Sequence, residues 1–250
     1  MRPDPTRLLQ ALALREPLIA FSDAPDPDPF APLVEAGPGR GRGACIFEYR
    51  PHWLAGETLH LTPQSRVCGG ALRSCWGVET RSREDFITFL YEEEGLRASR
   101  ELMEAMIDEP RKFHARHEHI LIGPLRLELY EYVRTITFYV NPDQLSVLQH
   151  GAYYAWRPDT PPPVIVPFSS GCGELATVFA DLDAPQASVG STDIAMRDVL
   201  PPDLLAFTAT KPMFEQLCAL DDRSFLGKGF LARLKKARGD EWGAPCGTSG

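Results

Sequence analysis

Apolar positions along the chain follow two periods. Over residues 5–14 Leu8, Leu9 and Leu12 fall on one helical face, which predicts a short amphipathic helix. The unbroken run PLIAF at 17–21 predicts a buried strand. The following stretch, SDAPDPDPFAPLVEAGPGRGRG at 22–43, crowds Pro, Asp and Gly together and predicts an irregular surface connection. ACIFEY at 44–49 returns to strand-like or buried composition. Ser82 then opens SREDFITFLYEEEGLRASRELMEAMIDEP. Ser82 and Asp85 have capping-box spacing, and Phe86, Phe89 and Leu90 follow as one apolar face. Gly95 predicts a break into two helices, and Pro110 a stop to the second.

The period then shortens. HILIGPLRLELY alternates, and VRTITFYV is rich in β-branched and aromatic residues, so both predict strands. Asn141 and Pro142 stand at the N-cap and first position of a helix beginning NPDQLSVLQ. A similar order recurs in two places, ITFYVNPDQLSVLQ (136–149) and LAFTATKPMFEQLCAL (205–220): β segment, polar step, proline, helix. The pattern predicts an α+β fold, mixed β-sheet layers with flanking helices and two similar β–α units, in a domain spanning 1–238. Residues 239–250, ending GAPCGTSG, read as a loose tail.

Composition and charge narrow the function classes. The formal net charge of −8 argues against nucleic acid as a partner, because phosphate contacts need a basic face. No apolar run reaches bilayer length, so no membrane partner is expected. Arg7 and Arg15 interrupt the N-terminal apolar stretch, which excludes a secretory signal. The expectation is a cytoplasmic protein whose cysteines are free thiols or ligands rather than structural disulfides.

Candidate chemistry concentrates at the cysteines. SRVCGGALRSCWG at 65–77 sets Cys68 before Gly69 and Gly70, with Cys75 seven residues on. A continuous helix would put both sulfurs on one face. The glycines instead suggest a turn after Cys68, and a helix opening there would favour its thiolate. The competing reading is that both are small buried hydrophobes; it is preferred for Cys75 and stands level with the first for Cys68. Cys172, between Gly171 and Gly173 after the run VIVPF, is either a presented thiol or an incidental residue in a tight turn. Cys45 and Cys218 read as core, and Cys246 as idle tail. His114, His117 and His119 lie close together, and the last two would share one face of a strand. Their basic neighbours Arg111, Lys112 and Arg116 favour a solvated segment over a zinc site. Tyr153, Tyr154 and Trp156, with Trp76, are candidates to wall a small-molecule pocket or to anchor the core. GPGRGRG and FLGKGF match no phosphate-binding fingerprint. KGFLARLKKAR reads as a solvated helix with Phe230, Leu231 and Leu234 packed inward.

Taken in order, LLQALALREPLIAFS, ACIFEYRPHWLAGETLHLTPQSRVCGGALRSCWG, FYVNPDQLSVLQHGAYY and SSGCGELATVFADLDAPQASVGSTDIAMRDVLPPDLLAFTATKPMFEQL cover nearly the whole chain. Together they resemble the uncharacterised ArCR-type family, domain of unknown function 169. The resemblance implies cysteines at four places. This chain holds three, Cys45, Cys68 and Cys172, and reads VGSTD with Ser191 at the fourth. It implies no established activity. If the three thiols converge, they suit an iron–sulfur cluster or a soft metal, with Ser191 or Asp193 near a fourth position. The leading expectation is a cysteine-lined metal or cofactor site open to redox chemistry. Cys68, Cys172, Gly69 and Gly171 would form it, in a pocket between the two β–α units, with Cys45 as a further metal ligand. The alternatives are a non-catalytic small-molecule binding or sensor module, and a subunit of a larger complex.

Overall fold

A computed structural model describes residues 2–27, 32–35, 45–109, 113–167, 171–175, 181–239 and 242. Its strands are β1 (Ile19–Ala24), β2 (Leu33–Glu35), β3 (Thr58–Leu61), β4 (His119–Pro124), β5 (Val133–Val140), β6 (Val164–Ile165), β7 (Ala187–Gly190) and β8 (Leu205–Thr210). They join one sheet in the order β2-β3-β4-β1-β5-β8-β7-β6. The outermost pairs, β2 with β3 and β6 with β7, are parallel. Every pair between them is antiparallel. The fold is α+β, as the pattern predicts.

Strand alternation sorts the core into two layers. Ile19 and Phe21 of β1, Leu59 and Leu61 of β3, Ile120 and Ile122 of β4, Tyr139 of β5 and Ala206 of β8 point to one face. That face is covered by α2 (Arg50–Leu54), α3 (Gly69–Trp76) and α7 (Gly171–Leu175). Ala20, Ile136, Phe138, Val140, Phe207 and Ala209 point the other way, beneath α1 (Thr6–Leu12), α6 (Pro142–Tyr153), α8 (Lys211–Cys218) and α9 (Gly229–Arg238). A third, smaller cluster holds α4 (Arg83–Thr88) and α5 (Arg100–Asp108) together through Ile87, Leu90 and Met103.

Local signals account for most helix ends. Asn141 accepts from the Gln144 amide at 2.9 Å while Gln144 Oε1 accepts from the Asn141 amide at 3.0 Å, closing a capping box. Ser82 caps α4 by accepting from Asp85 N at 3.0 Å. Gly95 takes φ +62° between the two helices, where a side chain is disfavoured.

Other expectations are corrected. The strand predicted at 17–21 runs on through Ser22, Asp23 and Ala24, all buried. Asp23 tolerates burial because its carboxylate accepts from the amides of Arg116 and His117, each at 2.9 Å, and pairs with Arg134 at 3.2 Å. β2 lies inside the predicted irregular connection, and β3 carried no sequence signal strong enough to be singled out. ACIFEY is not a strand: Ile46–Tyr49 form a 3₁₀ turn that runs into α2, and Ile46 and Phe47 enter the core. GPLRLELY leaves the sheet after Pro124, with a 3₁₀ turn at Leu127–Leu129. Phe230 is 75% exposed, so only Leu231 of the α9 apolar set is buried. The segment GPGRGRG, Cys246 and all of the predicted loose tail beyond Gly239 except Trp242 lie outside the described residues.

Candidate thiol site

Cys68 is the N-cap residue of α3, whose first residues are Gly69 and Gly70. Where the glycines suggested a turn, the chain enters the helix directly at Gly69. Cys75 falls two turns on, fully inside the core, and burial pushes its thiol up to about 12. Cys172 sits in the first turn of α7 and is buried. β6 ends at Ile165, so Cys172 is presented by a helix start and not directly by a strand end. The α3 and α7 helices pack against each other, and this brings the two remote cysteines together.

Gly70 marks the meeting point. A β-carbon there would lie 3.6 Å from Cys172 Sγ and 3.9 Å from Cys68 Sγ, so both sulfurs sit over the glycine. The Cys172 thiol donates a hydrogen bond to Cys68 and is the chief cause of a thiol held down at about 6. Burial opposes the shift, and the first-turn amides of Ala71 and Gly70 add to it. Cys68 remains partly exposed, so the anion is within reach of solvent.

Cys45 is near this pair without joining it. It precedes the 3₁₀ turn, is partly exposed, and burial pushes it up to about 11. The Phe47 amide opposes that shift, and the charges of Cys68, Glu48 and Asp193 reinforce it. At neutral pH Cys45 is therefore a thiol beside a thiolate. Among the described residues no group of three or more His, Cys, Asp and Glu side chains is placed to hold a metal ion.

Gly69 and Gly171 act through packing. A β-carbon at Gly69 would collide with the Thr80 hydroxyl, and one at Gly171 would come within 2.7 Å of the Phe47 ring. Both glycines let helix starts approach closely. Ser191 is buried with φ +62°, and its carbonyl accepts from Arg197 at 3.1 Å. The same guanidinium also donates to the carbonyls of Leu204, Pro201 and Pro202, which pins the turn.

The pocket expected between the two β–α units is not where the thiols are. β5–α6 and β8–α8 do exist and pack together, but α6 and α8 cover the opposite face of the sheet from Cys68 and Cys172. Tyr153 and Trp156 meet edge to face at 5.3 Å, and Tyr154 is 52% exposed against Phe225, all on that far side. Trp76 packs on the thiol side and donates to the His117 carbonyl at 3.3 Å. The four aromatics therefore share no pocket.

The histidines differ from expectation too. His114 is exposed, but His119 lies in β4 with Nδ1 2.8 Å from His60 Nε2, and His60 Nδ1 is 2.5 Å from Glu35. His60, buried on β3, was missed because nothing near it in sequence suggests a partner. The antiparallel β3–β4 pairing creates the contact.

No helix among the described residues is long and apolar enough to cross a membrane. A family model described as DUF169, uncharacterised ArCR, matches residues 8–219. No curated protein and no solved structure matches the chain.

Proposed function

The chain belongs to DUF169, the uncharacterised ArCR family, and from that premise we propose that it carries a reactive, redox-active thiol pair. Cys68 is the nucleophile and Cys172 its hydrogen-bond donor and resolving thiol. The observation that carries this reading is the placement of both sulfurs over Gly70, at the opening turns of two packed helices. The anionic character of Cys68 supports it.

The chemistry is a thiol–disulfide exchange with a small-molecule disulfide as oxidant. The Cys68 thiolate attacks one sulfur of the disulfide, the S–S bond breaks, and one thiolate leaves. Cys172 then loses its proton and attacks the Cys68 sulfur, which forms the Cys68–Cys172 bond and expels the second thiolate. Two electrons pass from the protein to the oxidant, and one proton is released. A site of this kind suits a reducing, cytoplasmic compartment, where the pair rests as thiols.

Peptide mapping without reduction, after exposure to oxidised glutathione, tests the reading. The expected product is a Cys68–Cys172 crosslink that dithiothreitol reverses. Recovery of both cysteines as free thiols would overturn it. Metal analysis of anaerobically purified protein addresses the soft-metal form of the site. One tightly held ion per chain, lost in Cys68→Ser, would replace exchange chemistry with two-thiolate ligation.

A further inference from the structure

The order of strands has a hidden regularity. Outward from the central β1–β5 pair, one half reads β1, β4, β3, β2 and the other β5, β8, β7, β6. Adding four to each label turns the first half into the second. The directions agree as well: in both halves the first, fourth and third strands are antiparallel in turn, and the third is parallel to the outermost second. Because β1 and β5 are themselves antiparallel, the relation between halves is a twofold axis perpendicular to the sheet. Such an axis keeps each face on its own side.

The helical connections obey it. Between second and third strands the first half places Ile46–Tyr49 with α2, and the second half places α7. After the third strand come α3 in one half and the 3₁₀ segment Ile194–Val199 in the other. The twofold turns the α3–α7 contact into a contact between Ile46–Tyr49 and Ile194–Val199, and that contact is present. Cys172, the second residue of α7, and Cys45, just before Ile46, then fall near matching helix starts, as do Cys68, which precedes α3, and Asp193, which precedes Ile194.

We infer that the thiol pair is one of two half-sites built across an internal twofold, each taking one residue from either half of the chain, and that Cys45 facing the 191–193 turn is the other. The second half-site holds only one sulfur, so it cannot form a pair, and among the described residues it leaves Cys68–Cys172 as the pair built on this plan. The inference rests on topology and goes beyond the proposed exchange chemistry, and each can fail without the other.

The test puts the missing thiol in place. Asp193→Cys is made in the full chain, treated with oxidised glutathione and mapped without reduction. The result expected is a crosslink from position 45 to position 193, lost when Cys45→Ser is added. Ser191→Cys, which exchanges one buried oxygen for sulfur, probes the same turn in case the first variant does not fold; a crosslink to position 45 from either position supports the inference. Neither crosslink in variants whose thermal unfolding matches the parent would overturn it, even if Cys68–Cys172 still forms. A crosslink at position 45 without one at Cys68–Cys172 would uphold the twofold and sink the exchange reading.

Discussion

Replacing Cys172 by alanine removes the donor that holds Cys68 down, and the consequence can be sized. An ordinary cysteine sits at 9.0 and Cys68 at about 6. At pH 6 half of Cys68 is thiolate, against roughly one part in a thousand for the ordinary group. Nucleophilicity falls with basicity at a slope of about 0.4–0.5, so three units lower the intrinsic reactivity of the anion roughly twentyfold. The net advantage of Cys68 is therefore roughly 25-fold at pH 6 and only about fivefold at pH 7. Cys172→Ala should forfeit much of the low-pH advantage and move the inflection of the alkylation profile upward by at least about one unit. Cys172→Ser keeps a hydroxyl donor and should hold the inflection close to the parent value. The assay is the iodoacetamide rate at Cys68 from pH 5 to 10, read by peptide mass. A Cys172→Ala protein that still titrates near the parent value would refute the argument. The same group sets a stability trend. Its folded value is depressed, so the stabilisation it supplies is full above pH 9.0 and is lost as pH falls through about 6.

Three other perturbations have defined outcomes. Gly70→Ala places a methyl at ordinary contact distance from both sulfurs, 3.6 and 3.9 Å; the melting temperature should hold or rise slightly, since alanine favours helix by up to about 1 kcal/mol, while a bulky maleimide should label Cys68 several-fold more slowly. Asp23→Asn strips the charge that Arg134 and two loop amides share; urea unfolding should show a loss of about 1–3 kcal/mol, the usual cost of weakening a buried, hydrogen-bonded charge. Asn141→Ala opens the capping box of α6; a loss of about 1 kcal/mol, or roughly 2–4 °C in melting temperature, is expected by calorimetry.

Much of the fold is legible residue by residue. Asn141 with Pro142, and Ser82 with Asp85, each announce a helix start, because a cap needs only its own next few amides. The long β runs at 119–124 and 133–140 announce themselves through side-chain type. The remaining features depend on distant partners. Ser22 and Asp23 look like loop residues until Arg116, His117 and Arg134 supply their hydrogen bonds. Cys45 looks like the start of a strand, yet Ile46 and Phe47 reach the core more readily from a tight turn beside α7.

The sequence alone determined the helix starts at Ser82 and Asn141, the α+β class, and much of the apolar burial along β4 and β5. It did so because periodicity and capping act over a turn or two of chain. Only the tertiary structure decided that Cys172 is the partner of Cys68, that Cys45 stands apart as a protonated thiol, and that the aromatic cluster lies on the wrong face. Those outcomes follow from strand order and from which helices the sheet brings into contact, and a linear pattern carries no record of either.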